Sequence, residues 1–163
     1  MNTEIDNVSF AEAIDRCCEL ASGGTSGHYV VTPNVDHIVR LESDAELRDV
    51  YSGADLILTD GKPLIWISKA YGTPIVEKIS GSDLFPALCS ESAVRGLSMF
   101  FFGAAPGVAA RAAENLVCRF PGLNVVGARS PEYGFDRDPN KVEEEIAVIN
   151  EVDPDILIVG LGC

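Results

Sequence analysis

Five short apolar runs alternate along this 163-residue chain with longer segments of helical periodicity. Several of the runs are apolar throughout, which is typical of strands covered on both faces of a parallel sheet. Such alternation gives right-handed βαβ crossovers. We therefore predict an α/β fold, a Rossmann-like doubly wound and mostly parallel sheet with helices on both faces, in a single domain over residues 1–163. The predicted strands are 28–32, 55–59, 98–102, 123–127 and 155–159.

The segments between these strands carry helix signals. Ser9 followed by Glu12 predicts a capping box at the start of the first helix, which Gly23 and Gly24 end. Pro106 is predicted to stand at the first position of its helix, where proline is favoured. The remaining predicted helices are 63–71, one from near Ser82 to 95, 106–119 and 141–151.

The charge of the chain argues against two classes of partner. The 25 acidic and 12 basic side chains leave a net charge of −13, which is unlike a nucleic-acid-coating protein. The same excess weakens broad attachment to anionic lipid, although it leaves room for a small basic patch. No apolar stretch reaches the about 20 residues that cross a bilayer, and the N-terminus lacks a basic leader region. We expect a soluble, cytoplasmic protein.

The cysteines do not form a metal-binding pattern. There are five, an odd number, with no Cys-x-x-Cys pair, and the chain has two histidines. A structural zinc site usually needs paired ligands at short spacing, so we expect none. Free, buried thiols in a reducing compartment are the favoured interpretation.

The candidate chemistry lies where predicted strands end, because ligands of open α/β sheets bind beyond the carboxyl ends of the strands. Asp60 follows the second strand, and Gly61 after it allows a ligand to approach the backbone. Asp60 can act as a general base toward a substrate hydroxyl, or it can cap the helix that follows. The sequence leaves both interpretations open.

Other strand ends offer groups that bind sugars. Thr32 and Asn34 supply a hydroxyl and an amide, although Thr-Pro-Asn is also an ordinary turn. Lys78 can neutralise a phosphate and Asp83 can orient a sugar hydroxyl. Equally, Ser82 can cap the coming helix with Asp83 in its first turn. His37 is interpreted as a satisfied surface histidine rather than a base.

The turn after the third strand is a candidate anion site. Gly103-Ala104-Ala105-Pro106-Gly107-Val108 leads into a helix N-terminus that suits a diphosphate, or it is simply a tight turn. It is not a Walker A loop or a G-x-G-x-x-G fingerprint, which disfavours a dinucleotide-dependent oxidoreductase. The absence of a G-x-S-x-G elbow, with only two histidines, disfavours a triad hydrolase.

Taken in order, five motifs resemble the WecG/TagA/CpsF family of bacterial glycosyltransferases over nearly the whole chain. They are Thr32-Pro33-Asn34, Ala54 to Trp66, Ser80-Gly81-Ser82-Asp83-Leu84, Phe102 to Ala109, and Pro154 to Gly162. The resemblance implies an inverting, metal-independent and cofactor-free transfer of an N-acetylhexosamine-type sugar, N-acetylmannosamine or its uronic acid, from a UDP-sugar. The acceptor it implies is N-acetylglucosamine on undecaprenyl diphosphate, for teichoic acid, enterobacterial common antigen or capsule.

The resemblance also implies roles for single residues. Asp60 matches the family's general base, Thr32 and Asn34 match its sugar-pocket residues, and the turn from Gly103 to Val108 would hold part of the nucleotide. Lys78 stands where the family usually has arginine, which loses a two-pronged contact to a diphosphate or carboxylate.

The family pattern continues beyond the last motif found here. A Pro-Lys-Gln-Glu motif and a C-terminal segment, which supplies basic residues and membrane contact, are not in these 163 residues. We therefore expect a transferase core truncated at its C-terminus, with peripheral contact at the inner face of the plasma membrane through that segment. The alternative is a non-catalytic nucleotide-sugar-binding module or an inactive fragment. The oligomeric state stays open, a homo-oligomer included.

Overall fold

The structure, a computed structural model, describes residues 4–24 and 27–161. The chain divides into two compact units, residues 1–87 and 88–163, and each contains parallel strands, so the α/β class is confirmed. None of the helices in the described ranges has both the length and the apolarity to cross a membrane. The elements are α1 (Phe10–Ser22), β1 (Val30–Val31), α2 (Val35–Leu41), α3 (Ala45–Ser52), β2 (Leu56–Ile57), α4 (Lys62–Ala70), α5 (Gly81–Arg95), β3 (Ser98–Gly103), α6 (Val108–Arg119), β4 (Asn124–Arg129), a 3₁₀ turn (Phe135–Arg137), α7 (Pro139–Val152) and β5 (Ile156–Gly160).

The first unit is built on two short parallel strands. In β1 and β2, Val30 lies opposite Leu56 and Val31 opposite Ile57. Leu56 is completely buried, and apolar side chains from three helices pack against β2, which stabilises the strand pair by removing apolar surface from water. This core consists of Ile38, Leu41, Tyr51, Ile57 and Leu64.

The second unit contains a three-stranded parallel sheet in the order β4-β3-β5. The central strand β3 is apolar and buried, and the Phe102 ring meets the Phe135 ring edge to face at 5.6 Å between centroids. The prediction that apolar strands are covered on both faces is confirmed for β3. It is wrong for β5, where Leu157 and Val159 are exposed on one face of the strand.

An aspartate directly before a strand fixes the start of that strand in each unit. The Asp55 carboxylate accepts a hydrogen bond from the Tyr29 backbone N–H at 2.9 Å. The Asp155 carboxylate accepts from both the Oγ and the backbone N–H of Ser98, each at 2.7 Å. These bonds stabilise the ionised form, so the Ser98 hydroxyl and then its N–H lower the pKa of Asp155. Each bond joins the beginnings of two parallel strands.

The helix predictions are largely confirmed, with two corrected starts. The capping box of Ser9 and Glu12 is present at α1. The prediction that Pro106 opens α6 is wrong, because Gly107 takes a left-handed conformation (φ +79°) and the helix begins after it. The alternative in which Ser82 caps α5 is also wrong, although Asp83 does lie in the first turn of that helix. That helix begins one residue earlier, and the Asp83 N–H donates to the Ser80 side chain at 3.3 Å.

The prediction of buried thiols is confirmed for the cysteines on α1 and α5 and is wrong for the cysteine on α6. Cys17, Cys18 and Cys89 are buried, and burial raises the pKa of both Cys17 and Cys89 to about 11. Cys118 is exposed on α6, where we had predicted a buried thiol. Cys163 lies outside the described residues.

Candidate functional site

Three segments of the first unit meet beyond the carboxyl ends of β1 and β2. The backbone N–H of Asp60 donates to the Pro33 carbonyl at 2.9 Å, which joins the two strand ends. The backbone N–H of Ile79 donates to the Thr59 carbonyl at 2.8 Å, which lays a third segment beside Asp60. The structure thus brings together the predicted site residues of this unit, which are Thr32, Asn34, Asp60, Lys78 and Asp83.

Asp60 is not used as a helix cap. The N-cap of α4 is Gly61, which has a φ of +112°, and no side chain caps that helix. A positive φ of this size is strained for any residue with a Cβ, so glycine is required there. The half-buried Asp60 carboxylate has no hydrogen-bond partner among the described residues. Its oxygens are therefore available to accept a proton or a hydrogen bond from a ligand.

Lys78 lies in a polar network beside Asp60. Its Nζ donates to Asp83 Oδ2 at 2.8 Å and to Ser80 Oγ at 3.2 Å. The hydrogen bond to Asp83 raises the pKa of Lys78, and the charge of Asp60 adds a smaller contribution. The bond from Lys78, followed by that from Ser80, lowers the pKa of Asp83. An ammonium group has three donors, so one stays available for a ligand oxygen.

Ser80 organises this network, and the sequence analysis did not single it out. It is buried, donates to Asp83 Oδ2 at 2.5 Å, and accepts from the backbone N–H of Asp83 at the start of α5. The sequence signal was available, because Ser80 and Asp83 have the spacing of a capping box ahead of an apolar run. Ser80 holds the Asp83 carboxylate in place for Lys78.

Asn34 has a structural role at α2 besides any role toward a ligand. Its Oδ1 accepts from the His37 N–H at 3.1 Å, and its own N–H donates to His37 Nδ1 at 3.3 Å. The interpretation of His37 as a satisfied histidine is therefore confirmed, and Asn34 is an extended helix N-cap and not part of an ordinary turn. The Oδ1 atom is occupied by the cap, so the Nδ2 group of Asn34 is the part that can donate to a ligand.

Thr32 lies against the start of α5. Its Oγ1 is 3.4 Å from the position that a Cβ on Gly81 would take. The glycine at this point lets the end of β1 and the N-terminus of α5 approach closely. A hydroxyl is thereby held next to the Ser80 and Asp83 network.

The turn after β3, in the second unit, is fixed by close backbone contact. Gly103 has a φ of +115°, and a Cβ there would come within 2.3 Å of the Gly160 carbonyl oxygen. That oxygen accepts a hydrogen bond from the Ala104 N–H at 2.7 Å. Only glycine fits this position, because both the conformation and the space exclude a side chain.

The same turn leads into the N-terminus of α6. Ser130 Oγ lies 2.9 Å from the Gly103 carbonyl oxygen and 3.1 Å from that of Ala105, so it holds the turn from the end of β4. No side chain of the described residues caps α6 at Gly107. The Val108 N–H donates to the Ala105 carbonyl at 3.0 Å, so the N–H groups of the first turn that can meet an anion are those of Ala109 and Ala110. Of the residues predicted here, Gly103, Pro106, Gly107 and Val108 all lie on this turn, and Ser130 is the residue that sequence reasoning missed.

A separate cleft lies at the amino-terminal ends of β1 and β2. It has a volume of about 360 Å³ and is lined by residues that include Arg16, His28 and Asp55. His28 Nδ1 and Asp55 Oδ1 are 2.8 Å apart, so these groups are paired with each other. The cleft is at the end of the strands away from Asp60 and forms no part of the candidate site.

The fold is parallel α/β, and its polar side chains gather past the carboxyl ends of β1 and β2. This is the class of α/β proteins that bind a ligand at the strand ends. The profile of the "Glycosyl transferase WecG/TagA/CpsF family" matches residues 1–163. The chain belongs to this family.

Two curated relatives carry the same name, N-acetylglucosaminyldiphosphoundecaprenol N-acetyl-beta-D-mannosaminyltransferase. That of Bacillus spizizenii (strain W23) is 32% identical over 136 residues, which is 83% of this chain and 51% of the relative. That of Bacillus subtilis (strain 168) is 25% identical over the same shares of the two chains. The chain thus spans about half the length of the curated relatives it matches.

Proposed function

We propose that this chain is the core of a glycosyltransferase that moves an N-acetylhexosamine-type sugar, N-acetylmannosamine or its uronic acid, from a UDP-sugar to a lipid-linked acceptor. The acceptor is a sugar on undecaprenyl diphosphate, and the product serves cell-surface polysaccharide. The protein works peripherally at the inner face of the membrane. Family membership and the names of the two relatives support this class of reaction.

The proposed step is a single displacement without a metal ion. Asp60 takes the proton of the acceptor hydroxyl, the hydroxyl oxygen forms a bond to the anomeric carbon, and the bond from that carbon to the UDP oxygen breaks. UDP leaves with the bonding electrons, and the configuration at the anomeric carbon inverts. A hydroxyl is a weak nucleophile at neutral pH, so a positioned base contributes on the order of 10²–10⁴-fold.

The observation that carries the proposal is the unused carboxylate of Asp60. A helix begins two residues after it, yet that helix is not capped by a side chain, and the Asp60 carboxylate has no hydrogen-bond partner in the described residues. A half-buried aspartate without a structural partner, at the carboxyl end of a parallel strand, fits a residue kept for a ligand.

The neighbouring side chains supply binding rather than proton transfer. Lys78 offers a positive charge and one remaining donor to a phosphate or carboxylate of the substrates. Thr32 and the Nδ2 group of Asn34 offer donors to sugar oxygens. Asp83 is held by Lys78 and Ser80, and it can still accept from a sugar hydroxyl.

For the second unit, we propose that the turn at Gly103, Pro106, Gly107 and Val108 binds a diphosphate. The free N–H groups and the positive end of the α6 dipole support this assignment, because they favour an anion without needing basic side chains. In a chain with a net charge of −13, local positive potential of this kind matters for holding UDP.

The test is Asp60→Asn in the protein as its gene encodes it. We expect transfer from UDP-N-acetylmannosamine to a lipid-linked acceptor to fall at least about 100-fold, because the amide cannot accept the proton. Binding of UDP, measured by calorimetry, stays within about twofold, because the Asp60 amide keeps the shape of the site.

The matched control is Asp49→Asn on the exposed side of α3, which should leave both transfer and UDP binding unchanged. If Asp60→Asn retained full turnover, the assignment of the base would be wrong. If it lost UDP binding and transfer together, Asp60 would be a binding residue instead.

A further inference from the structure

The loop over residues 71–77 connects α4 to Lys78, and most of it is exposed. Its first half is fastened to α4, because the Ile75 N–H donates to Ser68 Oγ at 3.0 Å. Its far end is fixed at Ile79, whose N–H bonds to the chain just after β2. An exposed loop with few buried contacts opens readily, so the residues directly before Lys78 need further support.

That support comes from the segment that leads into α1. Asn7 bridges two points of the loop, since its Oδ1 accepts from the Val76 N–H at 2.8 Å and its Nδ2 donates to the Pro74 carbonyl at 3.2 Å. In the other direction, the Glu77 carboxylate accepts from the backbone N–H of Phe10 at 2.8 Å. Phe10 is the first residue of α1, so Glu77 satisfies a helix N–H that has no intrahelical partner, and its charge suits the positive end of the helix dipole.

The same segment is anchored on β2. The Asp6 N–H donates to the Ile57 carbonyl at 2.9 Å, and Asp6 Oδ2 accepts from the Ile57 N–H at 2.8 Å. Two hydrogen bonds to one strand residue fix the segment in position along the strand. Because the chain runs on from Ile57 to Asp60, residues 6–10 join the loop before Lys78 to the strand that leads to Asp60.

We propose that Asn7 and Glu77 are positioning residues for Lys78: they hold its loop so that the ammonium group stays within the polar network of the candidate site. The inference rests on the proposed function, in which Lys78 binds a phosphate or carboxylate of a substrate. Both residues act through the backbone of the loop. A charge that is already held in place binds its ligand more tightly than one that must first be ordered, because ordering a loop and a side chain costs entropy.

The reactivity of lysine amines tests the position of Lys78 without any substrate. Brief reductive methylation with formaldehyde and cyanoborohydride, on the protein as its gene encodes it, is followed at each lysine by mass spectrometry. We expect Lys78 to react more slowly than the exposed Lys62 and Lys69, because the hydrogen bonds of its network stabilise the charged form. Asn7→Ala should raise the rate at Lys78 several-fold and leave the other two lysines unchanged.

Glu77 offers a conservative rescue. Glu77→Ala should act as Asn7→Ala does, whereas Glu77→Gln keeps an oxygen for the Phe10 N–H and should behave nearly as the unchanged protein does. This pair separates position from charge, because both variants remove the negative charge next to Lys78. Asp44→Ala removes the side-chain cap of α3 in the same unit, so it controls for a general loss of stability and should leave the rate at Lys78 unchanged.

Transfer kinetics supply a second readout. Lys78→Met and Asn7→Ala should raise the KM of the same substrate several-fold and leave kcat within about twofold, because both weaken binding and not the proton transfer to Asp60. In the Lys78→Met background, Asn7→Ala should have no further effect on that KM, since residues that act through one another are not additive.

The outcomes separate this inference from the proposed function. If Asn7→Ala leaves both the Lys78 rate and the KM unchanged while transfer still needs Asp60, the positioning role is overturned and the function stands. If the Lys78 rate rises selectively in a protein that shows no transfer, the role is supported and the function is contradicted. If all three lysines become more reactive, or if Asp44→Ala has the same effect at Lys78, the change is a general loosening and the inference is overturned.

Discussion

At the scale of single residues, the strand ends of the first unit show how similar positions are used differently. Asn34 and Asp60 each follow a strand and precede a helix by one or two residues. The side-chain oxygen of Asn34 caps α2 by accepting a hydrogen bond. In contrast, Gly61 is the N-cap of α4, and the Asp60 carboxylate does not cap that helix. The difference follows from the backbone, because Gly61 at φ +112° turns the chain before any side chain could reach the helix N–H groups. At this strand end, Gly61 therefore leaves the Asp60 carboxylate out of the helix cap.

Thr59, next to Asp60, has a buried hydroxyl that makes no hydrogen bond. It is 1% exposed, and its Oγ1 has no partner among the described residues. A buried unpartnered hydroxyl costs about 1–3 kcal/mol, so Thr59→Val should raise the free energy of unfolding by about 1 kcal/mol, as measured by urea denaturation. The exposed Thr73→Val should change it little. A loss of stability in Thr59→Val would mean that the hydroxyl is satisfied in solution, for example by a bound water.

At the scale of elements, the parallel strands are held together at their beginnings by aspartates. Asp155 ties the start of β5 to Ser98 at the start of β3, and Asp55 does the same between β2 and the residue before β1. These bonds depend on ionised carboxylates. The stability of the strand pairs should therefore depend on pH.

Asp155→Asn should lower the free energy of unfolding by about 1 kcal/mol at pH 7, because charged acceptors bind donors more strongly than neutral ones. The pKa of Asp155 is lowered in the folded chain, so its contribution is present above the unfolded value near 3.9 and is lost as pH falls through the folded value. The difference between the variant and the unchanged protein should accordingly be constant from about pH 7 to 5 and shrink below about pH 4. Asp136→Asn, in the exposed 3₁₀ turn, serves as the control. A difference that persisted at low pH would show that Asp155 acts through shape and not through charge.

The elements were predictable to the extent that their signals were local. All five strands and the α1 capping box are confirmed, because apolar runs and the Ser9–Glu12 pair act over a few residues. Helices α2 and α3 were not predicted, since each is short and the apolar residues that anchor them, Ile38 and Tyr51, pack into a core formed by distant segments. The start of α6 was misplaced because proline suits both a helix start and a turn, and the left-handed Gly107 decided for the turn.

The candidate site was also predictable only where its signals were local. The positions of Thr32, Asn34, Asp60, Lys78 and Asp83 followed from strand ends and motifs. Their mutual bonding did not, since Ser80 joins Lys78 to Asp83 through side-chain geometry that spacing alone leaves open. Ser130 was missed for a related reason: it acts on the turn at Gly103 from another strand.

At the scale of the whole molecule, the proposed ligand should stabilise the chain. A ligand that binds only the folded state stabilises it by an amount that grows with the logarithm of the ligand concentration above the dissociation constant. We expect UDP at about 100 times its dissociation constant to add about 2.7 kcal/mol, a shift of roughly 5–11 °C for a chain of this size, and NAD to add nothing. Differential scanning fluorimetry with both nucleotides checks this. Stabilisation by NAD in place of UDP would favour a dinucleotide enzyme over a sugar-nucleotide transferase.

The distribution of charge is also a property of the whole molecule. Most helices carry acidic side chains in a chain of net charge −13, whereas the charged side chains of α4 are both lysines, Lys62 and Lys69.

The contact between Gly103 and Gly160 has a consequence for the order in which the protein matures on the ribosome. The N–H of Ala104 receives its acceptor from Gly160, near the end of the described chain. A nascent polypeptide that has emerged only as far as α7 can form β3 and β4. The Ala104 N–H in its glycine turn still lacks the Gly160 carbonyl that accepts its hydrogen bond. The proposed diphosphate-binding turn can therefore close only after β5 has emerged, so a product released before that point should lack it even where its first unit has already folded.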